Sequence, residues 1–363
     1  MRLLRDYFLK EFIGPLFLSI GIITFVMLLG NLLKLAELVI NKGVDINNVL
    51  KLFLWMIPYL LSYVLPISAL TATLLALGRL SSDNEIIAIK SSGINLFNLI
   101  LPLLIIGLIL SAILVVFNDR VIPYSHFASR RILMDVGLKN PAAAIEPGVF
   151  INSFEKYIIF VYRVEENRLS NIRIYEPRTG NPPRTIVAKH GEFISLPETK
   201  TIKLKLIDGT SDEPDPKNPN NFYKMNFKQY FMSLSLSQND NKKIEKKAKD
   251  MTLQELKIEV EKLKKKGIDP TPLITEINKR VALALSTFIF VLLGSSVAVF
   301  SRRREKSFNF AISFVIIGAY YLLSLAAETL SLQGLLNPNL AMWLPNLVFG
   351  LVGSILLYRV CAC

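Results

Sequence analysis

Residues 91–118 read SSGINLFNLILPLLIIGLILSAILVVFN, an apolar run without a single charged side chain. A helix needs about 20 such residues to cross the hydrocarbon core of a bilayer. Further runs of this kind lie at residues 12–33, 52–78, 281–301, 307–327 and 329–358. The sequence therefore predicts six membrane-spanning helices, three before and three after a long polar segment.

The composition supports the membrane class. The chain has 363 residues, of which 52% are hydrophobic, and its mean hydropathy is +0.41. A soluble domain does not hide this much apolar surface in uninterrupted runs, so a soluble globular protein is excluded. We predict spans 1–3 with a short cytosolic helix at 81–92 within residues 1–118, an inserted β-domain at 119–250, and a connecting helix with spans 4–6 at 251–363.

The inserted segment has the pattern of antiparallel strands. Residues 201–207, TIKLKLI, alternate strictly, so that Ile202, Leu204 and Leu206 face one way and the two lysines between them face the other. This alternation is typical of a half-buried strand. Turn residues recur at a spacing of about ten, which favours a sandwich or an open barrel.

Loop charges predict the orientation in the membrane. An even number of spans places both termini on the same side, and short loops on the cytosolic side of a membrane carry more lysine and arginine. The side with the termini carries ten such residues: Arg2, Arg5, Lys10, Arg79, Lys90, Arg302, Arg303, Arg304, Lys306 and Arg359. The other side carries three, Lys34, Lys42 and Lys51. We expect cytosolic termini, with the β-domain outside the cytoplasmic membrane.

The net charge of +13 has two readings. The first is the loop-charge bias together with a lysine-rich helix after the β-domain. The second is an affinity for anionic lipid. The division of the basic residues between the two sides of a membrane argues against nucleic-acid binding.

Recognisable catalytic or cofactor motifs are absent from the sequence. The two histidines, His126 and His190, lie far apart with no cysteine nearby, so we predict no metal and no cofactor. The two cysteines, Cys361 and Cys363, form an incidental tail or a lipidation site. No phosphate-binding loop is present, and no span carries a charge in mid-membrane. This pattern favours the permease subunit of a transporter whose energy comes from a separate ATPase.

Two polar segments next to the spans have helical signals. The loop at 79–93, RLSSDNEIIAIKSSG, is too apolar at Ile86, Ile87 and Ile89 for a solvated loop. We predict a short helix there that lies on the membrane or docks on a partner. After the β-domain, Thr252-Leu-Gln-Glu255 is a capping box that opens a second helix.

These features together resemble the LptF/LptG lipopolysaccharide export permease family. The resemblance covers essentially the whole chain and rests most on Asn84-Glu-Ile-Ile-Ala-Ile-Lys-Ser-Ser-Gly93 and on Leu65-Pro-Ile-Ser-Ala-Leu. Asn140-Pro-Ala-Ala-Ala and the stretch from Glu276 to Arg280 favour the LptF branch.

The resemblance implies a fold, a function and partners. The β-domain is expected to be a periplasmic antiparallel β-jellyroll. The chain is expected to be a non-catalytic permease subunit of an ABC transporter in the bacterial inner membrane. It would extract lipopolysaccharide from the outer leaflet and pass it to a periplasmic bridge. The implied partners are a paralogous permease (LptG or LptF), two copies of the ATPase LptB, LptC, and LptA through the bridge.

The resemblance also implies roles for particular residues. Glu85 matches the acidic residue of a coupling helix that sits in a groove of the ATPase, with Ile86, Ile87 and Ile89 buried beside it. Lys34 matches a lysine that contacts lipid A phosphate, and Lys42 lies nearby. Each of these residues has a plain alternative. Glu85 would be a solvated acid on an interfacial helix, and the lysines would reach toward the headgroups as any terminal lysine does.

Each of the remaining candidate residues has either a functional or a purely structural interpretation. Glu276 and Arg280 lie four residues apart and form either a gate or brace beneath the β-domain or an ordinary helix pair. Arg302, Arg303 and Arg304 are topology anchors or ATPase contacts. A further set lines an acyl-chain groove or packs the core: Phe150, Ile159, Val161, Ile202, Leu204, Leu206 and Phe227.

Two other functions fit the same pattern. One is a membrane-anchored scaffold whose outer β-domain binds a protein. The other is an exporter of a different amphiphilic lipid. The prolines within the second span and the apolar cytosolic helix favour transport, because a scaffold needs neither.

Overall fold

The structure is a computed structural model that describes residues 2–40, 44–139, 148–154, 157–165, 168–178, 181–196, 201–214, 222–234, 246–300 and 306–362. Several predicted features lie outside these residues: Lys42, Asn140–Ala144, Arg302–Arg304 and Cys363.

Long helices occupy the regions where the apolar runs predict them. The helices are α1 (Arg2–Ile40), α2 (Ile46–Ser82), α3 (Glu85–Ser91), α4 (Leu96–Lys139), α5 (Leu253–Lys265), α6 (Thr271–Phe300), α7 (Lys306–Leu332), α8 (Pro338–Ala341) and α9 (Leu344–Ala362). Within the described residues, six helical segments are long and apolar enough to cross a membrane. The predicted fold class, three spans on either side of an antiparallel β-domain, is confirmed.

The sixth span starts later than the apolar run at 329–358 indicates. Helix α7 ends at Leu332, and Gly334 follows with a φ of +75°, which glycine adopts without strain. Asn337 then caps α8 by accepting a hydrogen bond from the Asn339 backbone N–H. Hydropathy alone does not show this turn because its residues are uncharged.

Two compact units make up the chain. One comprises residues 1–30, 55–127 and 246–363, and the other comprises residues 31–54 and 128–245. In the first unit, the most apolar windows of α2 and α6 are 72% and 61% buried, against 17% for those of α1 and α7. Helices α2 and α6 are therefore central in this unit, and α1 and α7 keep broad apolar faces for lipid or other protein.

Helices α6 and α9 pack closely at a glycine. A Cβ placed on Gly353 would lie 3.2 Å from the Leu293 Cα, so no larger residue fits without movement. The Ser296 hydroxyl donates a hydrogen bond to the Gly353 carbonyl at 2.9 Å. Small residues and hydroxyl groups of this kind let membrane helices approach each other, because lipid provides no hydrophobic drive for association.

In the second unit the β-domain is a six-stranded antiparallel sheet. The strands are β1 (Phe150–Phe154), β2 (Tyr157–Glu165), β3 (Arg168–Arg178), β4 (Asn181–Leu196), β5 (Thr201–Pro214) and β6 (Phe222–Leu234). Each strand pairs with its sequence neighbours, so the described strands form a meander whose two edges are β1 and β6.

One face of the sheet forms its own apolar core. Its buried side chains include Ile159 and Val161 on β2 and Leu204 and Leu206 on β5, all with no exposed surface. The alternation in β5 follows the prediction, since the intervening Lys203 is exposed. The members of this cluster all come from the sheet. Within the described residues, this face of the sheet therefore has an apolar core of its own.

Candidate functional site

The short helix α3 carries Glu85 in its first turn and lies in the sequence between the end of α2 and the start of α4. The Tyr7 hydroxyl of α1 donates a hydrogen bond to the Glu85 Oε1 atom at 3.2 Å. The same hydroxyl accepts a hydrogen bond from the Arg79 Nη2 atom of α2 at 3.1 Å. Arg79 also pairs with the Glu11 Oε1 atom of α1 at 2.8 Å. Four side chains from three helices thus form one polar cluster, which we call the α3 cluster.

The apolar residues of α3 divide between the inside and the outside. Ile86 is 4% exposed and belongs to the core of the helical unit, and Ile89 packs partly against that core. Ile87 is 53% exposed. All three isoleucines were predicted to bury in a partner. Ile86 is instead buried within this chain.

The last turn of α3 is attached to the end of the last span. The Lys90 ammonium donates a hydrogen bond to the Val360 carbonyl at 3.0 Å. Helix α3 is thus fixed at both ends, to α1 and α2 at Glu85 and to α9 at Lys90. Its remaining surface, around Ile87 and Ala88, is open.

A second polar cluster centres on Arg280, at the other end of the helical unit. The Arg280 Nε atom donates to the Glu276 Oε1 atom at 2.9 Å. Its other guanidinium nitrogens donate to the carbonyls of Met251 at 2.6 Å and Ala248 at 2.9 Å. The side chain of Arg280 is only 8% exposed. The pair predicted as a gate or brace therefore holds the chain segment that precedes α5 against α6.

Two contacts from α4 hold the same segment. The His126 Nδ1 atom lies 2.6 Å from the Asp250 Oδ1 atom, and the Asp250 side chain is fully buried. The Asp119 carboxylate accepts a hydrogen bond from the Leu253 backbone N–H at 2.7 Å, at the first residue of α5. The segment 248–253 is thus clamped between α4 and α6.

An ion pair joins α6 to α7 beside this clamp. The Lys279 ammonium lies 2.7 Å from both carboxylate oxygens of Glu328. Lys279 lines two open clefts, of about 110 and 290 Å³. The larger is lined mainly by apolar and tyrosine side chains, among them Tyr63, Tyr320 and Tyr321.

The capping box predicted at Thr252 is confirmed. The Thr252 hydroxyl accepts from the Glu255 N–H, and the Glu255 carboxylate accepts from the Thr252 N–H at 2.9 Å. Glu255 also accepts a hydrogen bond from the Lys246 ammonium, which lowers the pKa of its carboxyl below the ordinary value. At the start of α6, hydrogen bonds from Thr271 lower the pKa of the Asp269 carboxyl.

The other described residues that were predicted as site residues belong to the second unit. Lys34 lies on α1 with an exposed side chain. Of the groove candidates, Phe150 is 59% exposed and Phe227 packs partly against the sheet core. The backbone of Ile202 pairs with Ser195 and Leu234. Ile159, Val161, Leu204 and Leu206 are core side chains.

Several residues of these clusters were not predicted as site residues. They are Tyr7, Asn118 and Asp250, together with His126, which was considered only as a metal ligand. Asn118 donates a hydrogen bond to the Arg280 carbonyl at 3.0 Å from a buried position. The position of Asn118 at the end of the apolar run 91–118 could have indicated this contact, because a polar group buried in a membrane needs a partner.

The sequence matches one protein family over nearly its full length. Residues 6–359 match the family described as lipopolysaccharide export system permease LptF/LptG. Similar proteins include LptF of Escherichia coli strain K12 and LptF of Shigella flexneri. Each is 19% identical over 351 residues, which cover 94% of this chain and 91% of the relative.

A further relative is an uncharacterized protein of Rickettsia prowazekii. It is 25% identical over 192 residues, so the match spans 53% of this chain and 53% of that protein. The family match, in contrast, includes all six apolar spans and the sheet between them. This chain therefore belongs to the lipopolysaccharide export permease family LptF/LptG.

Proposed function

We propose that this inner-membrane chain is the permease subunit of an ABC transporter for lipopolysaccharide. It extracts the lipid from the outer leaflet of the inner membrane and passes it to a periplasmic bridge, using ATP hydrolysed by a separate protein. The single observation that carries this proposal is the family match over residues 6–359. The absence of a phosphate-binding loop from the sequence agrees with a separate motor.

Helix α3 is the docking element for the ATPase in this proposal. Its open surface offers Ile87 as an apolar contact, and Glu85 lies at the margin of that surface. Ile86 and Ile89 anchor the helix in this chain and do not enter the partner. A carboxylate next to an exposed isoleucine suits a groove that carries an arginine.

The lipid route begins at Lys34 and Lys42 in this proposal. Of these two residues, the structure describes Lys34. An ammonium group is a compact partner for a lipid phosphate, and Lys34 is exposed on α1. The acyl chains then enter the sheet. Because Ile159, Val161, Leu204 and Leu206 are buried, this step requires the covered face of the sheet to open.

The orientation follows from the loop charges. The termini and α3 are cytosolic and the sheet is periplasmic in this proposal. The apolar faces of α1 and α7 support pairing with a paralogous permease. The further partners are the ATPase LptB, LptC, and LptA through the bridge. The relatives named LptF support the LptF branch.

Depletion of the protein in its host tests the main proposal. Newly synthesised lipopolysaccharide is labelled, and its amounts in the inner and outer membranes are measured. We expect the label to accumulate in the inner membrane. Normal arrival at the outer membrane would overturn the proposal and favour another amphiphile or a scaffold role.

Charge reversal at Glu85 tests the docking element. Glu85→Lys is expected to abolish copurification of the ATPase and coupled lipid extraction. Lys257→Glu, an equally drastic change on exposed α5, serves as the control. Unimpaired extraction by Glu85→Lys would show that α3 is not the docking element.

A further inference from the structure

We propose that Tyr7 is a positioning residue that orients Glu85 and links helix α3 to the first two spans. This inference rests on the proposed role of α3 as the docking helix for an ATPase. Tyr7 itself touches neither ATP nor lipid in this proposal. Its function is to link the three helices, so that α1 and α2 move when α3 is displaced.

Helix α3 needs external contacts because it is too short to hold its own orientation. It contains seven residues, and its N-cap residue, Asn84, makes no side-chain capping hydrogen bond. Isolated helices of this length are unstable in water. Its described anchors are Ile86 in the core, Lys90 at the Val360 carbonyl and Glu85 at the Tyr7 hydroxyl.

The Tyr7 hydroxyl bridges a cation and an anion. It accepts from the Arg79 guanidinium at 3.1 Å and donates to the Glu85 carboxylate at 3.2 Å. A phenol does both at once, whereas phenylalanine does neither. The Glu85 Oε2 atom has no protein partner in the described part of the chain, so it is free to accept a hydrogen bond from a docked arginine.

Tyr7 is well placed to pass a displacement into α1. The next residue, Phe8, is 1% exposed, and Phe12 one turn later is fully buried. Arg79 is meanwhile held by Glu11, one turn after Tyr7 on α1, at 2.8 Å. The start of α1 and the end of α2 therefore move with the hydroxyl group that holds Glu85. This is a contiguous network of packed and hydrogen-bonded groups, the kind of path that carries energetic coupling.

The substitution Tyr7→Phe tests the inference, with Tyr358→Phe as the matched control. Tyr358 lies on α9 near the Lys90 contact and is 75% exposed. The full-length variants are purified with the partner permease and the ATPase. We measure ATPase copurification, ATP hydrolysis and lipopolysaccharide extraction in proteoliposomes. We expect Tyr7→Phe to keep the ATPase but to extract about fivefold less lipid per ATP hydrolysed, the effect of losing one hydrogen bond.

A spin label reports the position of α3 directly. The label is attached at Ile87→Cys in a background where Cys361 and Cys363 are replaced by serine. Tyr7→Phe is expected to increase the mobility of this label, and Tyr358→Phe is expected to leave it unchanged. A role of Tyr7 in general stability would instead lower the melting temperature without a specific change at position 87.

The outcomes separate this inference from the proposed function. If Glu85→Lys abolishes docking while Tyr7→Phe matches Tyr358→Phe in extraction and label mobility, only the role of Tyr7 is overturned. If the Glu85→Lys variant binds the ATPase and extracts lipid normally, the docking role of α3 is refuted. The role of Tyr7 is then refuted as well, because it depends on that docking role. Loss of coupling together with increased label mobility in Tyr7→Phe would support the inference.

Discussion

Single polar side chains in the helical unit donate hydrogen bonds to backbone carbonyls of other elements. Asn346, for example, accepts from the Tyr320 hydroxyl at 2.9 Å and donates to the Ala282 carbonyl at 2.8 Å. Arg280 likewise donates hydrogen bonds to the carbonyls of Met251 and Ala248. An unpaired buried polar group costs about 1–3 kcal/mol, so each such residue fixes a specific neighbour.

Arg280→Met is expected to destabilise the protein by about 3 kcal/mol, because it removes the ion pair with the Glu276 carboxylate and the hydrogen bonds to two carbonyls. Thermal unfolding of the detergent-solubilised protein measures the change. Lys257→Met, on the exposed side of α5, is the control and should melt like the wild type. Equal melting of Arg280→Met and the control would show that the Arg280 contacts carry no net stability.

Lys34→Asp is expected to reduce photocrosslinking of lipopolysaccharide to α1 severalfold, since a carboxylate repels the lipid phosphates. Lys51→Asp, on α2 with an exposed side chain, controls for loss of positive charge near the same loop. Crosslinking by both variants at the wild-type level would indicate that Lys34 only extends toward the headgroups.

Among the helices, α5 and α9 illustrate two different ways in which an element is held. The start of α5 depends on polar contacts, namely its capping box and the Asp119 carboxylate. The position of α9 depends on steric fit at Gly353, where backbone meets backbone. The polar contacts of α5 respond to pH, whereas the packing of α9 responds to side-chain volume. The two can therefore be tested separately.

The start of α5 is expected to loosen as the pH falls below about 4.5, the ordinary pKa of a glutamate. The pKa of Glu255 is lowered in the folded protein by its bond to Lys246. A lowered pKa contributes stability that is present above the ordinary value and is lost as the pH falls through the lowered one. Amide-exchange protection of residues 252–256, corrected for intrinsic rates, measures the effect. Glu255→Gln should remove the pH dependence, and a wild-type profile in that variant would contradict the assignment.

Gly353→Leu is expected to destabilise the packing of α6 on α9 by about 2 kcal/mol, because overpacking forces the backbone of Leu293 to move. Gly318→Leu on α7 is the control, since a Cβ there meets nothing within 4 Å. Unfolding temperatures in detergent compare the two. Equal effects would mean that leucine lowers stability at either glycine regardless of contact.

For the molecule as a whole, the proposed orientation is directly measurable. Cysteines at Ile87 and Lys189 are introduced separately into the background without Cys361 and Cys363. Both positions are exposed, Ile87 on α3 and Lys189 on β4. A membrane-impermeant maleimide that crosses only the outer membrane is expected to label position 189 but not position 87. Cells lysed in denaturing detergent, in which no docked partner covers position 87 and both positions should react, control for accessibility, and the reverse pattern would invert the topology.

The presence of six spans, the inserted sheet and the α5 capping box were predicted correctly from the sequence. Each depends on contiguous residues: an uncharged run, an alternation, or a four-residue box. The start of the sixth span was wrong because the Gly334 turn carries no charge. The buried or exposed state of Ile86 and Ile87 was not predictable, since a seven-residue helix is too short to show a clear apolar face.

Local signals in this chain thus suffice for its class, its span number and its family, because membrane thickness and strand pleating act on neighbouring residues. The contacts of Glu85 and Arg280 could not be read in this way. Tyr7 and Glu85 are 78 positions apart, and His126 and Asp250 are 124 apart. Such pairs meet because particular helices pack together and because buried polar groups must find partners, and only the folded chain shows which partners they find.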